Sequence, residues 1–321
     1  YQRKRRRLKH VFGILIGIFV ILAVAGGIFY GWNTLSGNYF GTPERAFDSS
    51  EVFTNALASK ENMRTEPFAR KLCVSAKGDV DCINNAELGE GQKGLLFGLS
   101  NHKVLYAKGI YDKVYPASIT KIMTAMLALQ SGKLDDTVTI TQDNVTLEEG
   151  SQVCGFVAGD QVTLDQLLHC LLVYSGNDAA SAIAEYVGGT TENFVQMMNA
   201  YAAKLGCTGT HFSNPHGLQD ENHYTTPYDI YLMLNEAFAY PEFTEITELP
   251  SYTVTYTGSD GTEKSTTLTA TDHYLTGEAT APKDVTILGG KTGTTATAGN
   301  CLAILTQNAY GKTFVSIVMG A

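Results

Sequence analysis

Pro116-Ala117-Ser118-Ile119-Thr120-Lys121, continuing through Ile122-Met123-Thr124-Ala125-Met126-Leu127-Ala128-Leu129, is the stretch on which the reading of this chain turns. Pro116 disfavours helical geometry for Tyr115, so the chain arrives extended. From Ile119 onward apolar residues fall on nearly every face, and a helix apolar all round belongs in a core. Gly132 predicts its end. Within this run stand Ser118 and, three residues later, Lys121, on one face and one turn apart. A lysine on a buried helix is costly unless paired or neutral. Burial also lowers its pKa, and a neutral amine beside a hydroxyl can take that hydroxyl's proton. Ser118 lies at the helix N-terminus, where backbone N–H groups and the dipole favour negative charge.

The spacing alone is not specific. Ser-x-x-Lys arises about once by chance in a chain of this size. A second copy, Ser100-Asn101-His102-Lys103, sits between strand-like runs at 94–99 and 104–107. That pattern predicts a hairpin turn, in which the two side chains have no helical alignment. Taken by themselves, Ser118 and Lys121 fit a helix cap and a snorkelling lysine equally well.

The chain has 321 residues, 44% of them hydrophobic, enough for one or two globular domains. Arg3, Lys4, Arg5, Arg6, Arg7 and Lys9 form a basic cluster, followed at 11–30 by a charge-free apolar run. About twenty such residues predict a transmembrane helix, and the preceding charges predict a cytoplasmic N-terminus. Ala23-Val24-Ala25 has the small-x-small pattern of a cleaved signal peptide, but the apolar run continues through Ile28, Phe29 and Tyr30, which favours an uncleaved anchor. Trp32 and Tyr30 suit an interfacial aromatic belt. The expected organisation is a basic cytoplasmic tail at 1–10, an anchor at 11–30, a stalk at 31–66 and an extracytoplasmic domain at 67–321. The protein would be a single-pass protein of the cell membrane. Without the six tail cations, 17 of the 23 lysines and arginines face 32 acidic residues, which argues against nucleic acid as a partner. Six scattered cysteines show no C-x-x-C spacing, so neither a zinc site nor a redox motif is indicated. Cys73 with Cys82 is the most local disulfide candidate, and free buried thiols are the alternative.

Further along, residues 138–141 read as a short strand and 150–159 as loop. Apolar Leu164, Leu167, Leu168, Leu171 and Leu172 make a helix that ends at Tyr174-Ser175-Gly176-Asn177-Asp178. A helix follows to Gly188-Gly189, and another spans 191–205 with Gly206 as its stop. Ser213-Asn214-Pro215-His216-Gly217-Leu218 is a turn cluster, and its histidine, like His223, more often satisfies local hydrogen bonds than completes a triad with Ser118. Thr226 and Pro227 open a helix reaching about residue 239. Residues 251–288 have strand and hairpin composition, Gly289-Gly290-Lys291-Thr292-Gly293-Thr294 follows, and strands at 301–306 and 313–319 close the chain.

Three signals thus stand in order: Ser118-x-x-Lys121, Ser175-Gly176-Asn177 and Lys291-Thr292-Gly293. The set resembles the penicillin-recognising serine hydrolases. The longer phrases, among them Leu171-Leu172-Val173-Tyr174-Ser175-Gly176-Asn177-Asp178 and Phe212-Ser213-Asn214-Pro215-His216-Gly217-Leu218, are most similar to D-alanyl-D-alanine carboxypeptidases of the low-molecular-weight penicillin-binding type, serine peptidase family S11. The resemblance covers about residues 90–320.

It implies an α+β fold of the β-lactamase/transpeptidase type, an antiparallel sheet flanked by helices plus an all-helical lobe. The implied activity is removal of the terminal D-Ala from peptidoglycan stem peptides ending in D-Ala-D-Ala, without metal or cofactor, and with β-lactams as covalent inhibitors. Ser118 would be the nucleophile and Lys121 its base. Ser175 would relay a proton to the leaving amine, supported by Lys291, and Asn177 would touch Lys121 and the substrate amide. Lys291 would bind the substrate carboxylate, with Thr292 and Gly293 receiving an extended peptide and the N–H groups of Ser118 and Thr294 forming the oxyanion hole. The resemblance also implies a helix after the last strand, where this chain stops at Gly320-Ala321, so a shortened C-terminus or a poorly covered last strand is expected. Rival readings remain. A transpeptidase or endopeptidase of the same fold would let another acceptor or bond take part, and a non-turnover β-lactam sensor or scaffold would only be acylated or bind. A class A β-lactamase is disfavoured, because a deacylating glutamate has no counterpart between 240 and 285.

Overall fold

The computed structural model describes residues 78–82 and 87–321. The basic tail, the apolar run at 11–30, the stalk and Cys73 lie outside the described residues. Those described begin with a hairpin, β1 (Lys93–Gly98) and β2 (Lys103–Lys108), turned by Ser100-Asn101-His102. The second Ser-x-x-Lys is therefore a turn. A 3-10 turn at Ala117–Thr120 then feeds α1 (Lys121–Gln130), which is buried from Lys121 to Leu129. β3 (Thr137–Thr139), α2 (Gln142–Val145), β4 (Gln161–Thr163) and α3 (Leu164–His169) follow. Thr141 and Thr163 close capping boxes at α2 and α3, satisfying first-turn N–H groups that the helix cannot.

A π turn, Cys170–Tyr174, extends α3 before α4 (Asn177–Gly188) and α5 (Thr191–Leu205). α6 (Pro227–Ala237) has Thr226 as its N-cap and Pro227 in its first turn, and α7 (Pro241–Thr247) comes directly after. β5 (Ser251–Thr257) and β6 (Glu263–Thr269) form a second hairpin. α8 (His273–Thr276), β7 (Val285–Thr295), β8 (Gly299–Asn308) and β9 (Thr313–Met319) complete the chain. α7 was not anticipated from the sequence. The strand at 285–288 runs on through Lys291-Thr292-Gly293-Thr294, because a bulge at Leu288 and Gly289 lets the pairing to β8 resume at Gly290.

Among the described residues two antiparallel sheets form. One has the order β2-β1-β9-β8-β7, the other β3-β4-β5-β6. Alternation places Val315, Ile317 and Met319 of β9, and Cys301, Ala303 and Leu305 of β8, in the core. β7 is the edge of the five-stranded sheet, so one side of its backbone is left unpaired by the sheet. The helices from α1 to α6 are inserted between β2 and β5 in the chain, and α1 packs against α4, α5 and α6. Each Ile, Leu or Met that α1 buries contributes roughly 1.5–3 kcal/mol of burial, and this outweighs the cost of one interior lysine only if the lysine is neutral or well bonded.

Candidate active site

The turn into α1 arrives with Ala117 at φ 47, a left-handed conformation that costs a non-glycine residue about 1–3 kcal/mol. It is followed at once by Ser118, and the strain sits where the chain must swing a hydroxyl towards the cleft. The Nζ of Lys121 lies 2.8 Å from Ser118 Oγ, 2.6 Å from Asn177 Oδ1 and 2.8 Å from the carbonyl oxygen of His216. Two of these three partners can only accept. A neutral amine therefore donates to Asn177 and His216 and turns its lone pair to the Ser118 hydroxyl, whereas an ammonium would donate to all three. Burial pushes the Lys121 pKa well below its ordinary value, and the charge of Lys291 pushes the same way, against smaller opposing effects of Cys154 and Asp178.

Each partner is held by its own local structure. Asn177 starts α4, and its N–H donates to Gln152 O at 2.8 Å. The adjacent Asp178 accepts the N–H groups of Cys154 (2.9 Å) and Gly155 (3.1 Å), clasping the 150–159 loop to this turn. The Cys154 thiol is raised first by its hydrogen bond to Cys170 and then by burial; it is a packing group. Ser175 is held at φ 67 and ψ 30 directly after the π turn. The Gly176 N–H reaches back to Cys170 O at 3.2 Å. Short π segments often mark functional sites, and here one ends an otherwise ordinary helix on a serine that is buried at the cleft wall.

His216 takes part through its backbone. Asn214 shapes that turn, accepting the N–H of Gly217 at 2.7 Å and donating to Leu218 O at 3.0 Å. Thr124 of α1 donates to Pro215 O at 2.6 Å. The His216 ring instead accepts the Leu218 N–H at 3.2 Å, and burial pushes its pKa down to about 3. The His223 ring accepts the Ser213 N–H through Nδ1 (3.0 Å), so Nε2 carries the proton and donates to Thr120 Oγ1 at 2.7 Å. Neither ring bonds Ser118, in agreement with the reading that set a triad aside.

β7 forms the facing wall. Ser118, Ser175, Asn177, Thr292, Gly293 and Thr294 all line one cleft of about 920 Å3. Lys291 lies behind this lining, 2% exposed, with Nζ donating to Thr292 O at 3.0 Å. Among the described hydrogen bonds none joins Lys291 to Ser175, so any support of Ser175 by Lys291 acts through space. Burial lowers the Lys291 pKa to about 7, opposed by the Asp272 carboxylate. Two contributors escaped sequence reasoning. The His216 carbonyl is a backbone atom and leaves no residue-type signal, and Asp272 belongs to none of the three motifs.

Residues 90–321 match the family model described as D-alanyl-D-alanine carboxypeptidase. The chain belongs to that family. Members similar to it include the D-alanyl-D-alanine carboxypeptidase DacF of Bacillus subtilis, 36% identical over 178 residues that make up 54% of this chain and 46% of DacF. DacC of Escherichia coli is 34% identical over 238 residues, 71% of this chain and 56% of DacC. The chain thus spans about half the length of these curated relatives. Among solved structures, the Streptomyces K15 DD-transpeptidase superposes with a TM-score of 0.64 at 28% identity, covering 71% of this chain and 89% of that one. The D-alanyl-D-alanine carboxypeptidase of Mycobacterium tuberculosis H37Rv gives 0.65 at 29%, covering 75% and 87%. The α+β fold of this protein is the transpeptidase-like one expected from its motifs.

Proposed function

We propose that this protein is a serine-type D-Ala-D-Ala carboxypeptidase that trims peptidoglycan stem peptides. The observation that carries the reading is Lys121, a buried amine with two obligate acceptors and the Ser118 hydroxyl as its three partners. Ser118 Oγ attacks the carbonyl carbon of the penultimate D-Ala while its proton passes to the Lys121 lone pair. The resulting oxyanion faces the backbone N–H groups of Ser118 and Thr294, and such donors are each worth about 3–4 kcal/mol to the transition state. Lys121 returns that proton through the Ser175 hydroxyl to the leaving amine, the C–N bond breaks, and D-Ala departs from an acyl-enzyme in which Lys121 is again neutral. Water then attacks the ester, giving its proton to the neutral Lys121, which passes it to Ser118 Oγ as the ester bond breaks. Asn177 orients Lys121 and the substrate amide. Thr292 and Gly293 receive the extended peptide on the open edge of β7, and Lys291 supplies the positive charge for its terminal carboxylate. β-Lactams enter the same path and stop at the ester.

A transpeptidase differs only in the acceptor, an amine in place of water, and the likeness to the K15 DD-transpeptidase favours this as the second reading. Incubating the protein with a peptide ending in D-Ala-D-Ala, with and without an added acceptor amine, separates the two. Release of D-Ala without the amine is the expected result. Exchange that requires the amine would support transpeptidation, and neither product from the folded protein would contradict both.

We also propose that residues 11–30 anchor the chain by a single membrane span behind a cytoplasmic tail at 1–10, with 31–66 as a stalk and 67–321 as the catalytic domain outside the cytoplasm. The support is the charge-free run directly after six basic residues. Retention of the full chain in membranes after alkaline extraction, and its release when residues 1–30 are deleted, would test this.

A further inference from the structure

Ser175 is buried at the cleft wall, and among the described hydrogen bonds none reaches its Oγ. The direction of that hydroxyl is therefore set by the backbone of its own turn. This backbone is strained, because φ 67 and ψ 30 cost a residue other than glycine about 1–3 kcal/mol, so neighbouring groups must hold it. From within the turn, the N–H groups of Ser175 and Gly176 both reach back to Cys170 O. From outside it, one residue grips the turn twice. The Nε2 of Gln152 donates to the carbonyl oxygen of Tyr174, and its backbone carbonyl accepts the Asn177 N–H at 2.8 Å. The two contacts bracket Ser175, one residue before it and two after.

Packing does not explain Gln152. It is exposed and lines the cleft together with Ser118, Ser175 and Asn177. The loop that carries it is locked on either side. Before it, the Ser151 N–H donates to Glu148 O at 3.1 Å. After it, the N–H groups of Cys154 and Gly155 bind the Asp178 carboxylate. Tyr174 O can only accept, so the Gln152 amide presents its NH2 group there, and a carboxylate in that place could not donate. This side-chain bond is the part of the grip that a substitution can remove, since the contact with Asn177 is made by backbone.

We propose that Gln152 is a positioning residue, whose amide holds the Tyr174–Ser175 peptide so that the Ser175 hydroxyl points at the leaving nitrogen. This rests on the reading of Ser175 as the relay that carries the proton from Lys121. When the C–N bond breaks, its electron pair goes to nitrogen, and the amine leaves only if a proton reaches that atom. A thioester differs. Its C–S electron pair goes to sulfur, and a thiolate, the anion of a thiol with a pKa of about 8.5, departs without a proton. A misaimed Ser175 should therefore slow cleavage of an amide and spare that of a thioester.

Gln152→Ala removes the donor, and Gln152→Glu removes it while keeping the size of the side chain. Both are measured in the full chain, on a peptide ending in D-Ala-D-Ala and on its analogue with sulfur in place of the scissile nitrogen. For the peptide, kcat/KM should fall roughly ten- to a hundredfold in both variants, the scale set by a misplaced reacting group. For the thioester it should stay within about twofold, because the lost proton transfer is not needed there. A merely structural disturbance of the loop would slow both substrates alike. Ser175→Ala should show the same preference for the thioester, and adding Gln152→Ala to it should cause no further loss. Unchanged peptide cleavage in both folded variants, equal losses on the two substrates, or an undiminished further loss in the Ser175→Ala background would overturn the proposal. Equal losses on the two substrates in Ser175→Ala itself would instead contradict the relay role of Ser175, while the double variant reads whether Gln152 acts through that residue.

Discussion

Gly293 lies against the backbone of Ser118. A Cβ placed on Gly293 would stand 2.8 Å from the Ser118 nitrogen and 3.1 Å from that of Ile119. The edge strand β7 thus abuts the turn that carries the nucleophile, and only a residue without a side chain allows the approach. Gly293→Ala should push β7 away from Ser118. A displacement of about 1 Å in a reacting geometry can cost about a hundredfold in rate. Stopped-flow acylation by a fluorescent penicillin should show a loss of that order in a protein that still unfolds cooperatively. An unchanged rate would mean that the close approach is dispensable.

Gly176 is confined in a similar way by Cys154, whose Sγ would be 2.3 Å from an added Cβ, with Asp178 Oδ1 at 2.9 Å. Gly176→Ala should therefore lower stability by about 1–3 kcal/mol through overpacking. Much of that loss should return in the Gly176→Ala/Cys154→Ala double variant, because the obstructing sulfur is gone. Thermal melts of the two singles and the double form the cycle. Strict additivity would place the damage elsewhere.

The buried histidines predict how stability depends on pH. Folding lowers His216 to about 3 and His223 to about 4, with burial as the leading cause in both. Above about pH 6.5 both rings are neutral folded or unfolded, and neither contributes a pH dependence. Below it the unfolded chain binds protons that the folded chain refuses, so stability falls from about pH 6.5 down to the folded values. The two together amount to several kcal/mol at most, by order of magnitude. The midpoint of thermal unfolding should drop between pH 7 and 4, and the drop should be shallower in His223→Gln. A slope that the substitution does not alter would contradict the assignment.

The sequence revealed those parts of the site in which a side chain acts in a regular element. Ser118 and Lys121 were legible because helical spacing puts them on one face, and the greasy context made Lys121 anomalous. Lys291 and Gly293 were legible as a motif, though the bulge at Leu288 and Gly289 that carries the strand at 285–288 on into it was not, since no pattern distinguishes such a bulge from a turn. The π turn at Cys170–Tyr174 was invisible because its apolar periodicity continues that of α3. α7 had a signal in Pro241, which suits the first turn of a helix, but its seven residues are too few for a clear period. The His216 carbonyl has no signature at all, being set by how Asn214 folds its turn. Asp272 became visible only once the segment after β6 met β7 through Thr271 and Thr292.

The most direct test of the account is intact-mass spectrometry of the full chain after incubation with benzylpenicillin, set beside Ser118→Ala and Lys121→Arg. The wild-type protein should gain one penicilloyl group, mapped to the peptide holding Ser118. Ser118→Ala should gain none while remaining folded, and Lys121→Arg, whose guanidinium cannot act as a base, should acylate far more slowly. An adduct that persists in folded Ser118→Ala, or no adduct on the folded wild-type protein, would contradict it.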